Sequence, residues 1–278
     1  IRQDVGQRFN QAVVQQNGLD GADVVYGFNL ASLELFQTAR REGRRCVLDQ
    51  TLAPVSVEDV LLAAEIERWP FWQPGLEVGV AERAAERESR EWDAVDVILC
   101  PSRFVADGIA AAGGPASKCR IVPYGVDVRY FPRRPMRQPV EGRPLRVLFA
   151  GEVGLRKGAP YLMEALSQLG PSLVEGRFVG SLALARERLG SFAAVASFLG
   201  SVPRSAMQEH YAWADVFVLP SICEGSAGVL SEALASGLPV ICTPNSGPPP
   251  VTSGLHLVPV RDVDALASAL LEVRNHYA

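Results

Sequence analysis

From Leu145 onward, short apolar runs alternate with amphipathic stretches, and this alternation constrains the fold more than any other feature of the chain. Strands buried on both faces read as continuous apolar runs, and strands that alternate with helices form parallel sheets. The predicted strands are Arg146–Ala150, Arg177–Val179, Ala196–Leu199, Val216–Leu219, Pro239–Cys242 and His256–Val258. The predicted helices are Ala159–Leu169, Leu182–Leu189, Arg204–Trp213, Gly228–Ala235 and Val263–Arg274. This half is therefore predicted to be a complete doubly wound α/β domain.

The first half shows the same alternation more sparsely. Its predicted strands are Val24–Tyr26, Cys46–Leu48, Val95–Cys100 and Arg120–Val122. Its predicted helices are Phe9–Gln16, Leu30–Glu42, Val57–Ile66, Leu76–Trp92 and Arg103–Ala112. A Rossmann-like domain usually opens with a strand and a glycine-rich turn, whereas this chain opens within a predicted helix and without an initiator Met. We therefore expect the chain to be incomplete at its start.

A proline-rich stretch separates the two halves. Pro132, Pro135 and Pro139 stand among basic and polar residues, a composition that suits neither a helix nor a central strand. The predicted organisation is a partial N-terminal Rossmann-like domain over residues 1–126, a linker over 127–142 and a C-terminal Rossmann-like domain over 143–278.

Composition excludes several classes of protein. The chain has 27 Lys and Arg residues and 31 Asp and Glu residues, which give a net charge of −4. This charge lacks the positive excess that is typical of proteins that bind nucleic acid. No apolar run reaches the roughly 18 residues of a membrane-spanning helix. The five cysteines are odd in number and widely spaced, as expected for reduced thiols in a cytoplasmic protein.

The first candidate site is the turn that follows the strand Arg146–Ala150. Gly151 and Gly154 permit a tight turn, and Arg156 and Lys157 then place two cations beside a helix N-terminus, where an anion is favoured. A diphosphate would suit this turn. The order of Lys157 and Gly158 excludes a Walker A loop. The alternative is a strand-to-helix turn with two solvated cations.

The second candidate site follows the strand Val216–Leu219. Glu224 is expected at the carboxyl edge of the sheet, where open α/β sheets bind ligands. The small residues Gly225, Ser226, Ala227 and Gly228 leave the next helix N-terminus open, so that its N–H groups can meet a phosphate. Glu232 lies among apolar residues and needs a hydrogen-bonding partner, for which ribose hydroxyls would serve. The alternatives are a helix-start role for Glu224 and a salt-bridged core role for Glu232.

The two glutamates enclose seven residues, as in the E-x7-E signature of retaining glycosyltransferases. Together with the Arg-Lys-Gly at 156–158 and segments 96–102, 122–127, 214–221 and 232–240 in the same order, the chain resembles family 4 of these enzymes. The resemblance implies the GT-B fold, in which two Rossmann-like doubly wound domains face a cleft, with the N-terminal domain incomplete here. It also implies a missing helix beyond Ala278.

The resemblance assigns roles to the candidate residues. Lys157, with Arg156, would neutralise the leaving diphosphate of a nucleotide sugar, and Glu224 would hold the sugar hydroxyls. Gly225, Ser226 and Ala227 would offer backbone N–H groups, and Glu232 would bind the ribose. The nucleobase would lie near Val202. No metal or other cofactor is then expected, and the family generally retains the anomeric configuration.

Two departures from the family pattern bear on these roles. Many members have an Arg five residues before the lysine, where this chain has Glu152; we expect Arg156 to compensate. Members often have a His after the strand at residues 24–26, a stretch in which this chain has Tyr26 and Phe28.

Other motifs favour structural roles. Asp262 and Asp264 spell a DxD metal motif but precede an apolar-periodic segment, which indicates a helix N-terminus. The three histidines lack metal-ligand spacing. The aromatic segment Trp69–Trp72 favours core or hinge packing, with an acceptor pocket or a contact with a membrane surface as alternatives.

The predicted function is transfer of a hexose-type sugar from a nucleotide sugar to a carbohydrate or lipid-linked acceptor in the cytoplasm, with peripheral membrane contact left open. The alternatives are a catalytically impaired nucleotide-sugar-binding subunit and a nucleotide-sugar epimerase.

Overall fold

The computed structural model describes residues 2–16, 18–79, 82–131, 142–251 and 253–276. The chain forms two compact units, Ile1–Ala63 with Glu77–Pro123, and Ala64–Leu76 with Tyr124–Ala278. The second unit thus takes in a segment from inside the predicted first domain. Most of the predicted linker lies outside the described residues, but Phe131, near its start, is buried in the second unit.

The first unit contains a parallel sheet of four strands in the order β1-β2-β3-β4. Its strands are β1 (Val24–Phe28), β2 (Arg45–Asp49), β3 (Val97–Cys100) and β4 (Cys119–Ile121). Its helices are α1 (Arg2–Gln15), α2 (Leu33–Arg41), α3 (Val55–Arg68, which ends in the second unit), α4 (Glu82–Ala94) and α5 (Arg103–Ala111). Helix α4 begins later than the predicted Leu76, because Gly79 has a φ of +82°, outside the helical region.

The second unit contains a parallel sheet of six strands in the order β10-β9-β8-β5-β6-β7. Its strands are β5 (Leu145–Ala150), β6 (Val174–Val179), β7 (Ala196–Phe198), β8 (Val216–Leu219), β9 (Val240–Cys242) and β10 (Leu255–Leu257), which confirms all six predicted strands. Its helices are α6 (Ala159–Leu169), α7 (Arg186–Leu189), α8 (Met207–Trp213), α9 (Gly228–Ala235) and α10 (Val263–His276). No described helix is long and apolar enough to cross a membrane.

Helix α7 is shorter than the predicted Leu182–Leu189. The N–H groups of Ala183 and Leu184 both donate to the carbonyl of Val153, at 3.1 Å. These residues therefore bond to the turn after β5. Ala185, directly before α7, has a ψ of 125°, which is extended backbone, so a helix cannot run through it and only the last turn of the prediction is helical.

The strand order places a topological switch between β5 and β8. From β5 the chain proceeds outward through β6 and β7, and then returns to β8 on the other side of β5. Open α/β sheets bind ligands beyond the carboxyl ends of the strands at such a switch. The turns that follow β5 and β8 are the two candidate sites identified in the sequence.

An ion pair with a buried carboxylate anchors the opposite end of β8. Asp215 is only 3% exposed and precedes this strand. Its carboxylate accepts two hydrogen bonds from the guanidinium of Arg143, at 2.6 and 3.1 Å, and one from the backbone N–H of Arg146, at 2.9 Å. The carboxylate of Asp215 raises the pKa of Arg143 by hydrogen bonding.

We predict that Asp215→Asn lowers the free energy of unfolding by about 1–2 kcal/mol, because the buried side chain loses the charge that strengthens its hydrogen bonds with Arg143 and Arg146. Urea denaturation of the purified protein measures the loss. The control is Asp127→Asn, which breaks an exposed ion pair with Arg129 of 3.0 Å and should change stability little. Equal losses in the two variants would contradict the anchoring role of Asp215.

Candidate functional site

The turn after β5 and the turn after β8 bring three charged side chains together. The Nζ of Lys157 lies 2.7 Å from Oε1 of Glu224, and a guanidinium nitrogen of Arg156 lies 3.6 Å from the same oxygen. These are the three predicted catalytic residues, and the structure joins them in one cluster. The side chains of Arg156 and Lys157 remain partly exposed, at 27% and 16%, so an anion in solution can reach both cations.

Gly151 makes room for the lysine. A Cβ at this position would stand 2.8 Å from both Cδ and Cε of Lys157, closer than real Cβ contacts. Any larger residue would therefore displace the end of the Lys157 side chain from its position beside Glu224. The sequence singled out Gly151 for a tight turn, and the structure adds this steric role.

Backbone hydrogen bonds join the two turns directly. The carbonyl of Arg156 accepts from the N–H groups of Ile222, at 2.9 Å, and Cys223, at 3.3 Å. Gly158 closes the first turn with a φ of +66° and packs so closely that a Cβ there would collide with the carbonyl oxygen of Pro220. The position of Lys157 relative to Glu224 thus depends on the backbone on both sides of the lysine.

The loop after β9 supports the turn that carries Glu224. The backbone N–H of Glu224 donates to the carbonyl of Asn245 at 3.0 Å, and the hydroxyl of Ser246 donates to the carbonyl of Leu219 at 2.7 Å. The Asn245 side chain also donates to the carbonyl of Ile222, at 2.8 Å. Sequence analysis did not identify this support, although the turn-forming residues directly after a buried strand were a signal for a structured loop at the same sheet edge.

Helix α9 begins with an accessible N-terminus. Its N-cap, Ala227, has no side-chain oxygen to cap it, and Gly228 is exposed. The N–H groups in the first turn of a helix have no acceptor within the helix. The N–H of Ala227, however, already donates to the carbonyl of Ser246, at 3.1 Å. Of the predicted donors, Ala227 is therefore engaged within the protein and holds the loop in place.

Glu232, on the second turn of α9, is held by two side chains. Tyr211 donates its hydroxyl to Oε2 at 2.8 Å, and Arg204 approaches Oε1 at 3.1 Å. Burial, and after it the charge of Glu232, raise the pKa of Tyr211, so the phenol keeps its proton and acts as the donor. Glu232 therefore has the salt-bridged role that the sequence left open beside ribose binding, and Tyr211 is a residue that sequence analysis missed.

A cavity of about 420 Å³ lies beyond the carboxyl ends of β6 and β7. Gly180, Arg186, Leu199 and Gly200 are among its lining residues. Val202 is the residue predicted to lie near a nucleobase. It comes two positions after Gly200 in the sequence and is not among the described lining residues of the cavity.

The Asp262–Asp264 motif was predicted to begin a helix, and α10 begins there. The side chain of Asp262 accepts from the N–H of Ala265 at 2.8 Å, which confirms the N-cap assignment. Asp264 accepts from Gln168 at 3.1 Å. Among the residues that the structure describes, no three His, Cys, Asp or Glu side chains are grouped so as to hold a metal ion.

The sequence is similar to known glycosyltransferases. Residues 144–276 match the family described as Glycosyl transferases group 1. The chain is 31% identical over 194 residues to the putative colanic acid biosynthesis glycosyltransferase WcaL of Salmonella typhimurium, covering 64% of this chain and 47% of WcaL. It is 30% identical over 225 residues to a GDP-mannose-dependent alpha-(1-6)-phosphatidylinositol monomannoside mannosyltransferase of Mycolicibacterium smegmatis, covering 70% and 58% of the two chains. The chain thus spans about half the length of these relatives.

Solved structures show the same fold. The chain matches HepE of Anabaena, solved in complex with UDP, with a TM-score of 0.68 at 15% identity, over 97% of this chain and 72% of HepE. The fold is therefore α/β of the GT-B type, as predicted, and each of the two units carries a parallel sheet.

We predict that Gly158→Ala lowers the free energy of unfolding by more than about 2 kcal/mol, because a left-handed backbone and a collision with Pro220 are combined at this position. Gly43→Ala is the control, since Gly43 also has a positive φ, of +73°, and open space around its missing Cβ. Thermal or urea unfolding compares the two variants. A similar loss in both would mean that the contact with Pro220 contributes nothing.

Proposed function

We propose that this chain transfers a sugar from a nucleoside diphosphate sugar to a carbohydrate or lipid-linked acceptor, with retention of the anomeric configuration. The observation that carries the proposal is the cluster of Lys157, Arg156 and Glu224 at the switch between β5 and β8. The match of residues 144–276 to a glycosyltransferase family supports it, as does the fold shared with proteins solved with UDP or UDP-glucose.

The two cations suit the leaving group of this reaction. Breaking the bond between the anomeric carbon and the phosphate oxygen leaves negative charge on the diphosphate. Fixed positive groups aimed at that oxygen stabilise the transition state more than the ground state, which is the requirement for catalysis. Lys157 and Arg156 stand on one short turn, so both can face one diphosphate. We accordingly propose that they neutralise it without a metal, and that activity persists in EDTA.

Glu224 has two functions in this proposal. It holds Lys157 in place by an ion pair of 2.7 Å, and it accepts hydrogen bonds from sugar hydroxyls. A carboxylate has about four acceptor positions, so pairing with the cations leaves acceptor capacity for a ligand. The N-terminus of α9 lies shortly after Glu224, and there Ser226 and Gly228 offer N–H groups to a phosphate or a sugar.

We assign the nucleoside of the donor to the part of the site formed by Glu232 and Val202. Glu232 binds the ribose, either as a further acceptor or by exchanging its contact with Arg204, whose side chain is 73% exposed. The base lies toward Val202. The similar proteins do not agree on one base, since HepE was solved with UDP and the mycobacterial relative is named for GDP-mannose.

We predict that Lys157→Ala lowers the rate of donor-dependent release of nucleoside diphosphate by about 100-fold or more, as loss of a fixed donor to a developing anion does in other enzymes. The measurement is a coupled assay with UDP-, GDP- and ADP-sugars. Glu224→Ala should produce a comparable loss. Lys118→Ala is the control, because Lys118 is the other lysine of the chain and bonds to the carbonyl of Trp92 in the first unit.

The same assay separates the proposal from its alternatives. Binding of a nucleotide sugar without turnover by any tested acceptor or by water would favour a binding subunit. Conversion of the donor to an isomeric nucleotide sugar would favour an epimerase. Full activity in both Lys157→Ala and Glu224→Ala would refute the site assignment.

We further predict that one of UDP, GDP and ADP stabilises the folded protein markedly more than the others. A ligand at 100 times its dissociation constant adds about 2.7 kcal/mol to stability. Thermal unfolding at matched nucleotide concentrations identifies the base, and the stabilisation should fall in Lys157→Ala. Equal, negligible shifts for all three nucleotides would argue against a nucleoside diphosphate donor.

A further inference from the structure

The segment Ala64–Leu76 belongs to the second unit, although it comes from the first half of the sequence. Glu65 anchors its start. This fully buried carboxylate accepts from the hydroxyl of Tyr161 at 2.7 Å and from the guanidinium of Arg261 at 2.6 Å. Tyr161 lies in the first turn of α6, the helix that begins directly after Gly158. The segment is therefore tied to the helix that follows the phosphate turn, which we define as residues 151–158.

Aromatic packing holds the middle of the segment. Trp69 is buried and meets the ring of Tyr161 edge to face, with centroids 5.4 Å apart, and Trp72 packs against Trp69 at 4.7 Å. The carbonyl of Trp72 accepts from the N–H of Ala185 at 2.7 Å. This arrangement confirms the packing role predicted for the tryptophans. Phe71 is 84% exposed and does not contribute to this contact.

The next residue after Trp72 contacts the phosphate turn itself. The side-chain carbonyl oxygen of Gln73 accepts from the backbone N–H of Leu155, at 2.8 Å. Leu155 is buried and directly precedes Arg156 and Lys157. Gly154 has no side chain at the point of approach, where a Cβ would stand 2.9 Å from the same Gln73 oxygen.

We infer that Gln73 is a positioning residue for the proposed transfer reaction: by holding the N–H of Leu155, it directs Arg156 and Lys157 toward the diphosphate. The inference rests on the proposed function. The carbonyl of Arg156 is held from the other side by the turn after β8. Gln73 therefore provides the second support of this short stretch of backbone, and it comes from outside both predicted site motifs.

The physical reason lies in how closely fixed charges must be placed. A buried N–H that loses its acceptor seeks another one, and the backbone around it shifts. A displacement of about 1 Å of a catalytic group can lower a rate 100-fold. Because Lys157 acts mainly on charge that develops in the transition state, a shift of the turn should lower kcat more than it raises the KM for the donor.

The test compares Gln73→Met with the wild type. Methionine keeps the length of the side chain and removes the strong acceptor. We expect kcat to fall by roughly tenfold or more, with a smaller change in the donor KM. Gln73→Glu keeps an acceptor oxygen of the same reach and should recover most of the loss. Gln168→Met makes the same substitution at an exposed position of α6 and should retain the full rate.

A second readout follows the hydrogen bond without turnover. Hydrogen exchange of the Leu155 amide should speed up in Gln73→Met and stay slow in Gln73→Glu. Wild-type kcat in Gln73→Met, or unchanged exchange at Leu155, would overturn the positioning role while leaving the proposed function intact. A wild type that neither binds a nucleoside diphosphate nor turns over any donor would overturn both.

Discussion

The parallel pairing of β5 with β8 is the constraint on which the candidate site depends. Val147 lies beside Val216 and Leu148 beside Phe217, although the paired strands are far apart in the sequence. Every residue of β8 is buried, so the hydrophobic effect selects this central position. Once the strands are neighbours, their carboxyl ends deliver the turns with Lys157 and Glu224 to the same place.

The ion pair at this place joins two turns whose backbones are already held by hydrogen bonds. A buried carboxylate without a partner costs several kcal/mol, and Glu224 avoids that cost through Lys157 and Arg156. Hydrogen bonds from the turn after β8 and from the loop after β9 hold the backbone that carries these three charged groups. An incoming diphosphate would therefore meet cations that are preorganised, and it would compete with Glu224 for them.

Much of the fold was predictable, because it depends on local patterns. The apolar run Val216–Leu219 and the helices Ala159–Leu169 and Gly228–Ala235 were predicted to the residue. Glycine, small residues and charges at the ends of these elements marked the site. The prediction for residues 182–189 was too long, because the backbone of Ala185 is extended, with a ψ of 125°, and a helix cannot continue through it.

The contacts that complete the site were not predictable in the same way. No periodicity in the sequence shows that Tyr211 would donate to Glu232, or that the N–H of Ala227 would be taken by Ser246. Each of these contacts joins residues on different elements. Their distance depends on how the sheet and the loops pack, which the local sequence around each residue does not specify.

The sequence by itself determined the two α/β halves, the strand ends that carry the charged turns, and the residue types needed to bind an anion there. Tertiary structure alone decided that Ala64–Leu76 would join the second unit and that Gln73 would reach the N–H of Leu155. The physical reason is the distance along the chain over which each kind of interaction acts. Apolar periodicity and turn chemistry act over a few residues, whereas a hydrogen bond between Gln73 and Leu155 exists only after long-range burial has brought two distant segments into contact.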